Sequence, residues 1–145
     1  MAIRPRVVKV GSLMVGGDWP VSVQTMWKNP LPDAPDSGPG SLAFKAILEK
    51  IHSLAAQGCD ILRFAVPDEA AARYLGALAG LSPIPLVADI HFDWRIALLC
   101  LEYPIAKIRI NPGNIGARWK TAEVVAKARE RSEERRVGKE CRSRW

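Results

Sequence analysis

Apolar and polar residues along the chain repeat with two periods, one of two residues and one of three to four. The period of two marks strands, and the longer period marks helices that bury one side. The predicted elements are a short opening strand at Val7, Val8 and Val10, strand 21–26, a helix from the N-cap Ser41 to the C-cap Gly58, strand 61–66, a helix from Asp68 to about Leu81, strand 85–90, a helix from Asp93 to about Glu102, strand 107–110 and a helix from Thr121 to about Arg131. Residues 28–40 contain four prolines and two glycines and are predicted to be a long loop.

Strands that alternate with helices indicate an α/β fold with a parallel sheet and right-handed crossovers. An open doubly wound sheet and a closed (β/α)8 barrel share this pattern. Four strand and helix units are half of a barrel, and barrels usually take about 250 residues, against the 145 of this chain. We therefore expect a parallel (β/α)8 TIM-type barrel of which only about the first half is present, in residues 1–130.

Polar side chains fall on one face of four consecutive predicted strands. Arg63 lies opposite the apolar face of Leu62 and Phe64, which helices would cover. The same count places six further polar residues on the inner face, namely Gln24, Asp89, His91, Lys107, Arg109 and Asn111. Because the carboxyl ends of parallel strands form the mouth of such folds, we expect these side chains to meet there.

Arginines on the inner face require an anionic partner, because an unpaired buried charge costs several kcal/mol. A guanidinium binds phosphate through two parallel N–H groups, and a lysine adds a point charge. Arg63, Lys107 and Arg109 are therefore predicted to hold a polyanion. The glycines of the loop 111–116 would let backbone N–H groups face the same ligand.

Structural roles remain open for several of these side chains. Arg63 and Asp89 on adjacent strands can pair with each other, and His91 can be an ordinary hydrogen-bonding residue of a loop. The tryptophans Trp19, Trp27 and Trp94 are interpreted as covering groups rather than as stacking platforms for nucleobases. No residue is singled out as catalytic.

Charge and cysteine content narrow the class of protein. The formal net charge is +6, and residues 131–145 carry half of it through six Lys or Arg against three Glu, so the body is only mildly basic and no nucleic-acid binding is predicted for it. No stretch reaches the roughly 20 apolar residues of a membrane span, and residues 1–10 lack a signal-peptide run. The three cysteines, Cys59, Cys100 and Cys141, have no CxxC spacing, which indicates a reducing compartment, and Cys59 and Cys100 are interpreted as packing residues. We therefore expect a cytoplasmic protein without a membrane partner.

Five sequence blocks occur in an order typical of one enzyme family. They are Val-Gln-Thr-Met (23–26), Gly-Cys-Asp-Ile-Leu-Arg-Phe-Ala-Val-Pro (58–67), Pro-Leu-Val-Ala-Asp-Ile-His-Phe-Asp (85–93), Arg-Ile-Ala-Leu (95–98) and Lys-Ile-Arg-Ile-Asn-Pro-Gly-Asn-Ile-Gly (107–116). They closely resemble the 4-hydroxy-3-methylbut-2-enyl diphosphate synthases, and the third and fifth blocks are highly specific. The resemblance covers about residues 4–130.

The resemblance implies an iron-sulfur oxidoreductase of the methylerythritol phosphate route to isoprenoids. Such an enzyme reductively opens 2-C-methyl-D-erythritol 2,4-cyclodiphosphate to 4-hydroxy-3-methylbut-2-enyl diphosphate, with electrons from flavodoxin or ferredoxin through a 4Fe-4S cluster. Its barrel binds the substrate diphosphate, and the full-length enzyme is a homodimer. The residues that the resemblance implies as substrate-binding are Arg63, His91, Arg109 and Asn111, with Gln24 and Asp89 supporting.

This sequence departs from the family pattern in two places. The loop after Met26 begins Trp27-Lys-Asn-Pro and is long and rich in proline, so no ligand is predicted in residues 27–40. The family's cluster domain, with three cysteines and a glutamate as iron ligands, lies beyond the last residue of this chain, and the chain's own cysteines are not those ligands. On this interpretation the chain alone is an inactive truncated product.

Two further interpretations stay open. The segment 131–145 abandons apolar periodicity and is interpreted as a basic tail that is foreign or unstructured, and its alternative is a genuine tail that contacts nucleic acid or a membrane. The alternative for the barrel is an enzyme for another phosphorylated or pterin ligand, similar to dihydropteroate synthase, whose own motifs the sequence lacks.

Overall fold

The computed structural model describes residues 5–32 and 38–134. The elements in chain order are β1 (Val8–Val10), β2 (Leu13–Val15), β3 (Gln24–Met26), α1 (Leu42–Ala56), β4 (Ile61–Ala65), α2 (Glu69–Leu81), β5 (Leu86–Ile90), α3 (Trp94–Cys100), β6 (Lys107–Ile110), α4 (Pro112–Ile115) and α5 (Arg118–Glu134). None of the helices in these ranges combines the length and the apolar content that a bilayer crossing requires. Cys141 and most of the predicted basic tail lie outside the described residues.

The strands β3, β4, β5 and β6 form a parallel sheet in which each strand lies beside its predecessor in the chain. The predicted α/β fold with a parallel sheet is confirmed. In a doubly wound sheet the strand order reverses once, whereas the order observed here follows the chain throughout, as it does in a (β/α)8 barrel. Within the described residues, β3 and β6 are the outer strands of this sheet.

The first strands of the described residues form a β-hairpin, where the sequence predicted a single strand. β1 and β2 are antiparallel, and Gly11 in the turn between them has a φ of 58°, which favours glycine. Val10 of the hairpin packs with Ile61 and Val87 in a small apolar cluster. Because Ile61 is the first residue of β4, the hairpin lies near the amino-terminal ends of the parallel strands, away from the carboxyl ends where the polar residues were predicted.

β3 is shorter than the predicted strand 21–26. Val21 is 94% exposed and Val23 is also exposed, so the alternation of β-branched residues here does not reflect burial. The backbone of Val23 is held by Asp60, because the Val23 N–H donates to Asp60 Oδ2 over 2.7 Å and the Val23 carbonyl accepts from the Asp60 N–H over 2.9 Å. The ladder with β4 begins only at Gln24, which lies beside Ile61.

The predicted helix caps are confirmed. The side chains of Ser41, Asp68 and Asp93 accept hydrogen bonds from backbone N–H groups in the first turns of α1, α2 and α3, which satisfies donors that have no partner within the helix. Gly58 follows α1 with a φ of 94°, the left-handed conformation expected after a helix end. These caps define where the connection from each strand ends and the following helix begins.

The last helix is longer than predicted at both ends. α5 begins at Arg118 rather than at Thr121 and continues to Glu134, past the predicted end at Arg131. At its far end Arg131 Nη2 donates to the carbonyl of Glu102 over 3.2 Å. This contact joins α5 to the segment after α3, a long-range restraint that apolar periodicity does not register.

The main core fills the space between the outer face of the parallel sheet and the helices α1, α2, α3 and α5. Its largest fully buried apolar side chains are Phe44, Phe64, Ile51, Leu62, Leu75, Leu78, Leu86 and Ile90. Cys100 belongs to this core and Cys59 is buried as well, which confirms their predicted packing roles. Burial raises the pKa of the Cys100 thiol to about 12.

Candidate functional site

The predicted polar residues come together on the inner face of β4, β5 and β6, in two layers of neighbouring residues. The lower layer contains Arg63, Val87 and Lys107, and the upper layer contains Ala65, Asp89 and Arg109. Neighbours in a parallel ladder point to the same face, so the polar members of both layers share one surface. We refer to Arg63, Asp89, His91, Lys107 and Arg109 as the mouth cluster.

Asp89 lies at the centre of the mouth cluster. It is fully buried, with 0% of its surface exposed. Its Oδ1 accepts a hydrogen bond from Arg109 Nη1 over 3.0 Å, and its Oδ2 lies 3.2 Å from Arg63 Nε and 3.7 Å from His91 Nε2. The pairing of Arg63 with Asp89, which the sequence left as an open alternative, is therefore present, and Arg109 joins it.

The contact between Arg63 and Asp89 is close but poorly aligned. Arg63 Nε and Asp89 Oδ2 are both buried, and neither makes a well-directed hydrogen bond to a described residue. Buried polar atoms usually have such a bond. Arg63 is therefore held mainly by charge attraction, whereas Arg109 is held by a directed hydrogen bond.

The cationic side chains around Asp89 remain partly open. The exposed fraction of the side chain is 30% for Arg63 and 41% for both His91 and Arg109. Each guanidinium carries five N–H donors. Asp89 contacts Nε of Arg63 and Nη1 of Arg109. Lys107 lies on the same face beside Val87, so this face carries three permanent cations and one carboxylate, and the excess positive charge suits an anionic ligand.

Lys107 and Asn111 lie at the margin of the mouth cluster. Lys107 is exposed and is the first residue of β6. Asn111 directly follows β6 and caps α4, because its Oδ1 accepts a hydrogen bond from the Gly113 N–H over 3.1 Å. The predicted glycine loop thus contains one short helix, and the side-chain carbonyl oxygen of Asn111 already accepts a hydrogen bond.

Met26, rather than Gln24, stands beside Arg63. Gln24 lies beside Ile61, one layer lower, and Met26 Sδ accepts a hydrogen bond from Arg63 Nη2 over 3.5 Å. The alternation that placed Gln24 on the inner face also places Met26 there, but an apolar side chain gave no chemical signal. Only the register between β3 and β4 shows that Met26 belongs to the surroundings of Arg63.

Two of the three predicted covering tryptophans pack against the main core. The Trp27 ring stacks on Phe64 with 5.4 Å between centroids, and Trp94 meets Trp119 edge to face at 5.3 Å. Trp94 and Trp119 thereby join the first turn of α3 to the first turn of α5. Trp19 is largely exposed, so the covering role predicted for it is not seen.

A family model described as the GcpE TIM-barrel domain matches residues 5–143. The chain belongs to the GcpE family. The match includes residues 131–143, beyond the limit near residue 130 that the resemblance of sequence blocks indicated. The TIM-barrel description agrees with a parallel sheet whose strands follow chain order.

Curated relatives of this GcpE domain are named 4-hydroxy-3-methylbut-2-en-1-yl diphosphate synthase (flavodoxin). The protein of Geobacter sulfurreducens is 51% identical over 138 residues, which are 95% of this chain and 36% of that protein. The protein of Treponema pallidum is 46% identical over 129 residues, or 89% of this chain and 30% of that protein. The chain therefore spans about a third of the length of these relatives, and the family resemblance stated from the sequence blocks is confirmed.

Proposed function

We propose that this chain is the amino-terminal half of the substrate-binding barrel of an enzyme that opens 2-C-methyl-D-erythritol 2,4-cyclodiphosphate reductively to 4-hydroxy-3-methylbut-2-enyl diphosphate. The observation that carries the proposal is the mouth cluster, in which Arg63 and Arg109 contact one buried carboxylate and Lys107 lies on the same face of the sheet. The reaction is taken from the names of the relatives. The charges of the mouth cluster support a role of the barrel in binding the substrate diphosphate.

In this proposal the diphosphate binds at the open side of the mouth cluster. Arg63 and Arg109 donate N–H groups to phosphate oxygens, and Lys107 contributes a point charge. His91, which is 41% exposed, adds a donor from the loop after β5. Asn111 and Gln24 contribute neutral amide groups at the margin, and the outer strands β3 and β6 pair with later strands to complete an eight-stranded barrel.

The described residues do not fit a 4Fe-4S cluster. Residues 5–32 and 38–134 contain no group of three or more His, Cys, Asp or Glu arranged to hold a metal. Cys100 has no exposed surface, and the buried Cys59 Sγ donates to the Ile61 carbonyl over 3.2 Å. In this proposal the 4Fe-4S cluster, the electron donor flavodoxin and the homodimeric assembly belong to the full-length enzyme.

The diphosphate site can be tested with inorganic diphosphate and the 145-residue chain. Isothermal titration calorimetry at low ionic strength is expected to detect binding, which weakens by about 10- to 100-fold in Arg63→Ala and in Arg109→Ala, because each substitution removes a charge-assisted hydrogen bond. Arg73→Ala is the matched control, since Arg73 pairs with Glu69 on the surface of α2. Equal weakening in all three variants, or no binding by the parent chain, would contradict the proposal.

The chain alone is expected not to convert the cyclic diphosphate. The measurement is product formation with reduced flavodoxin, with a full-length relative as the positive control under identical conditions. Because binding and turnover are separate readouts, the expected pattern is diphosphate binding without turnover. Measurable turnover by residues 1–145 would show that the barrel fragment needs no further domain, contrary to the proposal.

A further inference from the structure

We propose that Asp89 is a positioning residue, which touches no ligand itself and holds Arg63 and Arg109 in place for one anion. The inference rests on the proposed diphosphate site and gives a different role to a residue that the family resemblance places among the groups supporting substrate binding. The structural basis is that one fully buried carboxylate contacts three of the side chains that would bind the ligand.

Burial separates the role of Asp89 from the roles of its partners. Asp89 exposes 0% of its surface, whereas Arg63, His91 and Arg109 each expose between 30% and 41% of their side chains. A ligand that enters the mouth therefore meets the cations first and is screened from the carboxylate by them. Asp89 acts on the ligand only through these neighbours.

The two guanidiniums are held by different atoms of the same carboxylate. Arg109 donates to Oδ1, and Arg63 approaches Oδ2 through Nε, with its Nη2 directed to Met26 Sδ. Each arginine keeps further N–H donors for a ligand. Fixing an arginine side chain in one geometry costs rotamer entropy, so a carboxylate that holds both of them before the ligand arrives lowers the entropic cost of binding.

A carboxylate in an anion site has a second effect of opposite sign. Its negative charge repels the anion, so a residue that only neutralises the arginines for stability would weaken ligand binding. Removal of the charge without change of shape would then tighten binding. If Asp89 positions the arginines, the same change loosens them and weakens binding. The direction of the change in affinity therefore distinguishes the two roles.

The decisive variant is Asp89→Asn in the 145-residue chain, titrated with inorganic diphosphate. We expect affinity to fall at least about tenfold, although the mouth gains positive charge. The same substitution in an Arg63→Ala, Arg109→Ala background is expected to change affinity less than about threefold, because its effect passes through the arginines. Unchanged or tighter binding in the single variant, or an equal loss in both backgrounds, would overturn the inference.

A measurement on the unaltered chain covers the case in which Asp89→Asn does not fold. Nitrogen-15 NMR of arginine guanidinium N–H groups without ligand is expected to show dispersed, slowly exchanging signals for Arg63 Nε and Arg109 Nη1, whereas exposed Arg73 exchanges rapidly. Averaged signals for all three arginines would overturn the inference. If ordered signals are found but diphosphate does not bind, the diphosphate proposal fails while the positioning of the arginines by Asp89 stands.

Discussion

At the scale of single residues, Cys100 couples the stability of the fold to pH. Burial in the main core raises the pKa of its thiol from 9.0 to about 12. Between these values the unfolded chain releases a proton that the folded chain retains. The free energy of unfolding therefore falls as pH rises through this window, by up to about 1.4 kcal/mol per pH unit.

Cys100→Ala is expected to reduce that pH dependence. Urea unfolding at several pH values between about 9 and 11 would give the slope for both proteins. The variant also has weaker core packing, but that effect does not vary with pH. Burial raises the pKa of Tyr74 as well, and both proteins keep this contribution, so the difference between the slopes reports Cys100. Identical slopes would contradict the assignment.

The inner-face residues were predictable one at a time, but their partners were not. Alternation along β4, β5 and β6 is sufficient to place Arg63, Asp89 and Arg109 on one face. Which atoms meet depends on the register between strands, and register results from the packing of the whole sheet. For this reason the pair of Arg63 with Asp89 was only one alternative from the sequence. The sequence did not indicate that Arg109 also contacts Asp89 or that Met26 contacts Arg63.

At the scale of elements, replacing each of two glycines in α2 by alanine is expected to have opposite effects on stability. A Cβ at Gly76 would overlap the ring and the Cβ of Tyr103, whereas a Cβ at Gly80 would lie 4.0 Å from Pro104 Cγ, an ordinary contact. Alanine is favoured over glycine within a helix by roughly 0.5–1 kcal/mol. That gain is available at Gly80, but at Gly76 the overlap outweighs it.

Gly80→Ala is expected to stabilise the chain by up to about 1 kcal/mol, and Gly76→Ala to destabilise it by about 1–3 kcal/mol, the usual cost of overpacking. Urea unfolding of the two variants and the parent at neutral pH gives both values, and each variant is the other's control for helix propensity. A stabilising effect of both substitutions would show that Tyr103 moves aside without cost.

Helices were easier to predict than the short strands, for physical reasons. The caps Ser41, Asp68 and Asp93 act on N–H groups within three residues, so they are legible in a short stretch of sequence. The hairpin of β1 and β2 and the late start of β3 depend on contacts with distant residues, such as Val10 with Val87 and Val23 with Asp60. A local sequence pattern contains no information about contacts between distant residues.

At the scale of the whole molecule, alternation of strands and helices predicted a parallel sheet, which a barrel and a doubly wound sheet share, and the number of strand and helix units led to the expected barrel. The order β3-β4-β5-β6 favours the barrel, and the family match identifies a TIM-barrel domain. The two outer strands of the described sheet each present one edge that a further strand can pair with. Closure depends on the complete set of strands, and the described residues, in a chain that spans about a third of the length of these relatives, form four parallel strands.

The positive charge of the molecule is divided between the mouth cluster and the last residues of the chain. Residues 135–145 contain five Lys or Arg against one Glu, a net +4 of the total +6. Two kinds of anion are therefore in question, a small diphosphate in the mouth and a nucleic acid on the basic segment. The strength of non-specific nucleic-acid binding depends on how many phosphates are neutralised, and it declines steeply with salt.

Replacement of Arg135, Arg136, Lys139, Arg142 and Arg144 by Gln in the full chain separates these two anions. The variant is expected to bind inorganic diphosphate within about twofold of the parent, because the mouth cluster is unchanged. Any nucleic-acid binding by the parent is expected to weaken strongly, and the slope of its salt dependence is expected to decrease by up to about 0.9 for each phosphate that the variant no longer neutralises. Fluorescence anisotropy over a salt series and calorimetry provide the two readouts. A parallel fall in diphosphate affinity would place the anion site on the basic segment instead of at Arg63 and Arg109.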